Sequence, residues 1–237
     1  MKGLLMQRRT LLLSGAAALT AVGGYNLYAS LSGGAPLPGS TLIEPGAAQA
    51  QTSDAAEIDI SQVLEMEAGN PEAEVTIMEF SSFTCPHCAR FNQTVYNDLK
   101  EAYIDTGLVR YIKREVYFDA YGLWAALVAR CGGQTRYFGV AEMIYAEQSD
   151  WARGESGADV ADSLRRIGRR AGMSDEELNA CLTDRDQATA MMQVYQNNME
   201  EYGITGTPSF VINGETYSNM SFAEFQEILD PLLPASE

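Results

Sequence analysis

Glu74-Val-Thr-Ile-Met-Glu-Phe80 is a run of apolar and β-branched residues, and such a run predicts a β-strand that is buried on both faces. Four residues separate it from Cys85-Pro86-His87-Cys88, in which the two cysteines are three positions apart. The spacing of Phe91, Val95 and Leu99 then predicts a helix with one apolar face. The cysteine pair is therefore expected where a buried strand passes into a helix.

The start of this helix is a favourable place for a reactive cysteine. Thr84 is the expected N-cap, and Pro86 suits the first turn because the N–H group that it lacks has no helical partner there. The unpaired N–H groups and the helix dipole favour a thiolate. We expect Cys85 to be exposed and attacking, and Cys88 to be more buried and to resolve the mixed disulfide. His87, if protonated or donating, would stabilise the Cys85 thiolate further and make the disulfide more oxidising.

The inventory of ligands and bases is small. The chain has 237 residues with four cysteines and one histidine, His87, which excludes a pair of Cys₂His₂ fingers, a His₃ zinc centre and a Ser-His-Asp triad with a separate histidine. A Cys-x-x-Cys pair is alternatively half of a structural zinc site, which needs two further ligands. Cys131 and Cys181 are 50 positions apart. We therefore expect no metal and no bound cofactor, only a redox-active disulfide between Cys85 and Cys88.

The composition restricts the partners. A hydrophobic content of 46% and a charged content of 20% are typical of a globular protein. The formal net charge is −16, from 32 acidic and 16 basic residues. This charge repels phosphate backbones and anionic lipid, so no nucleic-acid partner is expected. An acidic surface also disfavours acidic substrates, although the sequence does not map a binding groove.

The first 31 residues have the pattern of an export signal. Three basic residues precede an uncharged apolar stretch, and Arg8-Arg9-Thr10-Leu11-Leu12 resembles a twin-arginine signal. Ala48-Gln49-Ala50 fits a cleavage site, whereas an uncleaved membrane anchor over Leu11–Leu31 is the alternative. In both cases the rest of the chain is expected to be periplasmic or otherwise extracytoplasmic, with membrane contact only through an uncleaved N-terminal segment. Without the first 50 residues the net charge becomes −18.

The remaining pattern predicts the order of the elements. Residues 32–56 are rich in Gly, Pro, Ala and Ser and predict a flexible linker. The predicted helices after the first are 120–131, 134–148, 159–171, 174–182 and 184–202, and the further strands are 108–118, 208–212 and 215–217. Asn213-Gly214 predicts a tight hairpin turn, and Ser221 with Glu224 predicts a capping box for a last helix. The order is β-α-β with a parallel pair, a block of helices, then β-β-α.

Three separated motifs resemble the DsbA family of thioredoxin-fold thiol:disulfide oxidoreductases, in its short-insert bacterial form. They are the stretch from Gly69 to Phe80, Cys85-Pro86-His87-Cys88, and Gly206-Thr207-Pro208-Ser209-Phe210. The resemblance covers essentially residue 57 to the C-terminus. It implies an α/β thioredoxin fold, in which residues 57–118 and 203–237 form a central mixed sheet with its helices. Residues 119–202 would then form an inserted, all-helical domain.

The resemblance also implies roles for single residues. Pro208 aligns with a cis-proline that packs against the active disulfide, and the backbone of Thr207 would bind an extended substrate peptide. The alternative is an ordinary trans-proline that opens an edge strand. Glu79 matches a buried acid that accepts and relays the proton of Cys88, whereas the alternative is an acid that reaches solvent at the strand end.

Cys131 and Cys181 are the second pair of cysteines. Two leftover cysteines in an exported protein usually form a disulfide, and some members of the family carry a structural disulfide in the helical insert. By the chain-entropy model, a bond that closes a loop of this length would stabilise the fold by about 4 kcal/mol. The alternative is two buried free thiols.

The predicted activity is oxidation of dithiols, in which the Cys85–Cys88 disulfide is passed to reduced exported polypeptides. The resemblance implies that a membrane quinone-linked thiol oxidase then restores the disulfide. A disulfide reductase or isomerase of the same fold is the second hypothesis, and a non-catalytic surface protein that binds peptide or metal is the third. The reduction potential of Cys85–Cys88 separates the first two hypotheses.

Overall fold

The computed structural model describes residues 58–234 of the chain. The predicted export signal (1–31) and the predicted linker (32–56) lie outside the described residues. None of the helices between residues 58 and 234 has both the length and the apolar character that crossing a bilayer requires.

The order of the elements confirms the predicted α/β fold class and adds one strand. The strands are β1 (Met66–Gly69), β2 (Val75–Ser81), β3 (Val109–Glu115), β4 (Ser209–Ile212) and β5 (Glu215–Ser218). The helices are α1 (Pro86–Phe91, continued by Asn92–Tyr96, Asn97–Leu99 and Lys100–Ile104), α2 (Ala120–Cys131), α3 (Gly133–Ala146), α4 (Gln148–Trp151), α5 (Gly157–Arg170), α6 (Asp175–Thr183), α7 (Arg185–Tyr202) and α8 (Phe222–Leu229), with a final 3₁₀ turn at Asp230–Leu232.

The five strands form one mixed sheet in the order β1-β3-β2-β4-β5. Strands β2 and β3 are parallel, as the β-α-β pattern predicts, and the other neighbours are antiparallel. Sequence analysis missed the edge strand β1, which is four residues long and half polar. Its Glu67 binds Arg110 of β3 at 2.6 Å between Oε2 and a guanidinium nitrogen, so β1 is fixed by contacts distant in sequence.

Helix α1 differs from the predicted helix in its buried face. It takes the wider π form over Asn92–Tyr96 and again over Lys100–Ile104. A π turn places one more residue in the turn than the α form, so the next hydrophobic residue that is fully buried after Phe91 is Tyr96, whereas Val95 is only partly buried. Tyr96 is 2% exposed, and its ring lies 5.4 Å from that of Tyr111 in β3.

The predicted N-cap of α1 is wrong. The N-cap is Cys85, with no side-chain hydrogen bond to the helix, and Pro86 begins the helix as predicted. The hydroxyl of Thr84 instead donates to the Asp119 carboxylate at 2.9 Å. Asp119 in turn caps α2, because its other carboxylate oxygen accepts from the Gly122 N–H at 2.8 Å. A hydrogen bond to a charged carboxylate is stronger than one between neutral groups, and this contact ties the cysteine loop to α2.

Both faces of the sheet are covered. On one face the rings of Phe91 in α1, Phe210 in β4 and Phe225 in α8 pack together, with centroid distances of 4.8 and 4.9 Å from Phe210. On the other face Phe80 of β2 packs against Tyr202 of α7 at 5.3 Å. This arrangement confirms that β2 is buried on both faces, and it holds the cysteine loop at the end of a rigid strand.

The helices between β3 and β4 follow the predicted pattern with one break. Helix α2 has the bounds that were predicted, whereas the predicted helix 134–148 ends at Ala146, and Gln148 begins the separate helix α4. A disulfide joins Cys131 of α2 to Cys181 of α6, with a Cα–Cα distance of 5.8 Å. That residues 119–202 form an inserted domain stays a prediction.

The C-terminal hairpin and helix are built by local chemistry. Asn213 and Gly214 have φ values of +46° and +94°, which suit the tight turn that this pair predicts. The hydroxyl of Ser221 accepts from the Glu224 N–H, and the Glu224 carboxylate accepts from the Ser221 N–H, so the predicted capping box is present.

Candidate active site

The pairing of β2 with β4 brings two distant segments together. The two strands are antiparallel, with Phe80 opposite Ser209, so the cysteine loop after β2 lies beside the loop before β4. The peptide bond between Thr207 and Pro208 is cis. As a thiol, Cys85 donates through Sγ to the Thr207 carbonyl oxygen at 3.5 Å. The structure thus brings four of the predicted site residues together: Cys85, Cys88, Thr207 and Pro208.

Cys85 is less exposed than the sequence predicted. Both thiols of the Cys85-Pro86-His87-Cys88 motif are free in this structure. Cys85 is 8% exposed and Cys88 is fully buried. The loop that contains Thr207 lies against Cys85, which explains the low exposure. The expectation that Cys88 is the more buried of the two is confirmed, whereas the expectation that Cys85 is exposed is wrong.

The surroundings of Cys85 favour its thiolate. The pKa of Cys85 is lowered from 9.0 to about 5, chiefly because the Cys88 thiol donates a hydrogen bond to it. Burial opposes this shift, and the side chain of Thr207 and the backbone N–H groups of Cys88 and His87 support it. These N–H groups belong to the first turn of α1, where they have no helical acceptor. Cys85 is therefore the better nucleophile and leaving group of the pair.

Cys88 has the opposite behaviour. Its pKa is raised far above the ordinary value, first by burial, then by its hydrogen bond to Cys85 and by the negative charge of Glu79. The two sulfur atoms, three residues apart, therefore differ strongly in acidity. His87 takes part through its backbone, and its side chain is exposed. That the imidazole stabilises the thiolate stays a prediction.

Glu79 is fully buried, and its negative charge acts on Cys88. Its Oε2 atom accepts hydrogen bonds from the Lys113 ammonium at 2.7 Å and from the Tyr111 hydroxyl. Its Oε1 atom is also buried and has no hydrogen-bond partner among the described residues. The sequence left open whether Glu79 is a buried acid or reaches solvent at the strand end, and in the structure it is buried. It has one oxygen bound and one available to a proton donor.

Lys113 was missed by sequence analysis. It is 3% exposed, and its only ion pair within residues 58–234 is with Glu79. The nitrogen also lies 4.9 Å from the centre of the Tyr145 ring, where a cation is attracted to the π electrons. The parallel register that places Lys113 opposite Glu79 could have suggested this pair. Removing one partner of such a buried ion pair lowers the free energy of unfolding by about 3–5 kcal/mol, because the other charge stays buried without a partner.

Gln148 was also missed. Its side-chain N–H₂ group is buried and donates to the carbonyl oxygens of Phe83 at 2.7 Å and Cys85 at 3.0 Å. The ring of Phe83 lies 4.9 Å from that of Tyr145. Helix α4, which begins at Gln148, thus holds the backbone at the reactive cysteine. A glutamine in a short polar helix gives no sequence signal for this role.

Metal ligands and the second cysteine pair do not belong to this arrangement. Within residues 58–234, no three His, Cys, Asp or Glu side chains are grouped as a metal site would require. Cys131 and Cys181 line a separate cavity of about 300 Å³ that contains no residue of the cysteine motif. The site is therefore suited to thiol–disulfide exchange. It combines a thiol of low pKa, Cys85, with a thiol of high pKa, Cys88, and a buried carboxylate, Glu79.

The titration of Cys85 tests this description of the site. In the reduced protein the absorbance of the thiolate near 240 nm should rise with a midpoint near pH 5, since the pKa of Cys85 is lowered from 9.0 to about 5. Because the pKa is lower in the folded state, the thiolate stabilises the reduced fold above pH 9, and this stabilisation is lost as the pH falls through 5. The variant Cys88→Ala should titrate at a higher pH, because it lacks the main hydrogen-bond donor. A wild-type midpoint near pH 9 would contradict the assignment.

Comparison with known proteins agrees with this geometry. Residues 61–231 match the family model described as Thioredoxin. A relative from Rickettsia conorii, named as a protein-disulfide oxidoreductase, is 35% identical over 171 residues, which span 71% of this chain and 60% of that relative. Disulfide bond formation protein D of Bacillus subtilis is 24% identical over 172 residues, or 69% of this chain and 73% of that protein.

The fold is also similar to that of a solved DsbA-type structure. The crystal structure of alpha-DsbA1 from Wolbachia pipientis has a TM-score of 0.66 and 26% identity, and the match covers 71% of this chain and 90% of that one. The match to the Rickettsia relative leaves about two fifths of that protein's length without a counterpart here. The chain belongs to the thioredoxin family, and within that family it is similar to the DsbA-type proteins.

Proposed function

We propose that the protein is an extracytoplasmic dithiol oxidase that passes the Cys85–Cys88 disulfide to reduced exported polypeptides. The low pKa of Cys85, about 5, carries this proposal. A thiol that is stable as its anion stabilises the reduced form of the pair, and the disulfide then becomes a stronger oxidant. The names of the Rickettsia and Bacillus relatives support a disulfide exchange activity.

The first step is attack by a substrate thiolate on the Sγ atom of Cys85 in the disulfide. The bond between the two cysteine sulfurs breaks, a mixed disulfide forms at Cys85, and Cys88 leaves with the electron pair. Cys88 needs a proton, because its pKa is raised by burial. In this proposal the proton comes from solvent, and the Glu79 carboxylate relays it to Cys88: the Oε1 atom has no hydrogen-bond partner among the described residues, and Lys113 holds the carboxylate in place.

In the second step another substrate thiolate attacks the substrate sulfur of the mixed disulfide. The substrate gains its disulfide, and Cys85 leaves as a thiolate without needing a proton. The low pKa of Cys85 makes it a good leaving group. The backbone of Thr207, whose carbonyl oxygen is 3.5 Å from Cys85 Sγ, is positioned to bind an extended substrate strand during both steps.

The sequence supports an extracytoplasmic setting for the proposed reaction. The N-terminal segment has the pattern of an export signal or anchor, which would place the site outside the cytoplasm. Each cycle leaves Cys85 and Cys88 reduced, so a second oxidant must remove two electrons. We assign this step to a membrane quinone-linked thiol oxidase, on the resemblance of the cysteine motif to the DsbA family. In this account Cys131–Cys181 is a structural disulfide.

The reduction potential decides between an oxidase and a reductase. Equilibration of residues 51–237 with mixtures of reduced and oxidised glutathione should give a potential well above that of thioredoxin, about −270 mV. The physical reason is the stabilised Cys85 thiolate of the reduced form. A potential near the thioredoxin value would contradict the oxidase proposal and favour a reductase. Stoichiometric metal without thiol exchange would favour a binding protein instead.

The proton transfer from Glu79 can be tested separately. The variant Glu79→Gln should form the mixed disulfide with a single-cysteine peptide about tenfold or more slowly at neutral pH, because the carboxylate that relays a proton to the Cys88 sulfur has been removed. The double variant with Lys113→Met, which leaves no unpaired charge in the core, should be equally slow. Glu67→Gln removes an acid from the edge of the same sheet and serves as the control. Equal rates for the wild type and both Glu79 variants would refute the role of Glu79.

A further inference from the structure

A cleft of about 560 Å³ opens beside the start of α1. Thr84 and Pro86, the neighbours of Cys85 in the chain, are part of its wall, so the cleft adjoins the residues on both sides of the reactive cysteine. Gln148, which holds the Cys85 carbonyl, and Tyr145 form the opposite wall. The cleft is thus bounded by α1 on one side and by α3 and α4 on the other.

The charge of this cleft is opposite to that of the whole chain. Arg90 and Arg153 line it, both are exposed, and no acidic residue belongs to its wall. Neither arginine has an ion pair with a carboxylate of residues 58–234, whereas eight other basic side chains there have one. Within residues 58–234, Arg136, Arg166 and Arg185 also lack an ion pair, but these three arginines do not line the cleft.

The carboxylates nearest to Arg153 in the chain, Glu147, Asp150 and Glu155, do not line the cleft. Glu147 is bound by Arg170 at 2.6 Å between Oε1 and the guanidinium. Asp150 is exposed and accepts from the Ser149 hydroxyl at 3.4 Å, and it does not line the cleft. A guanidinium group offers several N–H donors in a plane that matches a carboxylate. The cleft therefore has the chemistry of a carboxylate-binding site.

We propose that this arginine cleft binds acidic side chains of the substrate polypeptide next to its reacting cysteine. The proposal rests on the proposed dithiol exchange and adds a substrate preference to it. A substrate strand that pairs with Thr207 on one side of Cys85 continues across Pro86 into the cleft. Aspartate or glutamate residues near the cysteine would then meet Arg90 and Arg153. The local charge at the site thus reverses the preference that the net charge of the chain predicts.

The test compares two dithiol peptides that differ only in having aspartate or lysine beside the reacting cysteine. The second-order rate constant of their oxidation is measured with the protein in its disulfide form. For the variant Arg90→Gln/Arg153→Gln, we expect the rate constant of the acidic peptide to fall about three- to tenfold, and that of the basic peptide to change less than twofold. Raising the salt to 0.5 M should reduce the preference of the wild type.

The matched control is Arg166→Gln/Arg185→Gln, which removes the same charge from two exposed arginines outside the cleft. It should leave the ratio of the two rate constants unchanged. The proposal would be overturned if the cleft variant kept the wild-type ratio of the two rate constants. It would also be overturned if the control variant lost as much of this ratio as the cleft variant, because the preference would then arise from the long-range electrostatic field of the protein. If the wild type oxidised neither peptide, the proposed function itself would fail, and the two failures are therefore distinguishable.

Discussion

The position of β2 between β3 and β4 is the constraint on which the site depends. The parallel pairing with β3 sets Glu79 opposite Lys113, and the antiparallel pairing with β4 sets the end of β2 beside Thr207. Because β2 is buried on both faces, a shift of its register by one residue would turn Glu79 away from Lys113. The same shift would move the cysteine loop relative to Thr207.

This constraint explains why two cysteines in one helical turn behave differently. Cys85 lies at the open end of α1, where N–H groups and the Cys88 thiol stabilise an anion. Cys88 points into the interior, where burial and the charge of Glu79 oppose an anion. The difference in acidity is therefore a property of the position of each sulfur atom on a fixed scaffold. In the proposed reaction this difference gives the pair a direction: Cys85 exchanges with the substrate and Cys88 closes the bond.

Sequence reasoning succeeded where the signal is local and failed where contacts are distant. The strand β2, helix α2 and the Asn213-Gly214 hairpin follow from hydrophobic spacing and turn chemistry, so they were predicted. The edge strand β1 was missed because four mixed residues have no periodicity that distinguishes a strand. The π turn in α1 was missed because spacing by four assumes a regular α-helix, and the partners Lys113 and Gln148 were missed because they lie 34 and 63 positions from the groups they bind.

The most direct test of this account is the relative reactivity of the two thiols. The reduced protein is treated at pH 6 with a limiting amount of iodoacetamide, and the peptide that contains both cysteines is fragmented by mass spectrometry. At this pH an ordinary thiol is almost fully protonated, whereas Cys85, with a pKa of about 5, is mostly thiolate. We expect Cys85 to be modified about a hundredfold faster than Cys88. Equal modification of the two, or faster modification of Cys88, would contradict the account.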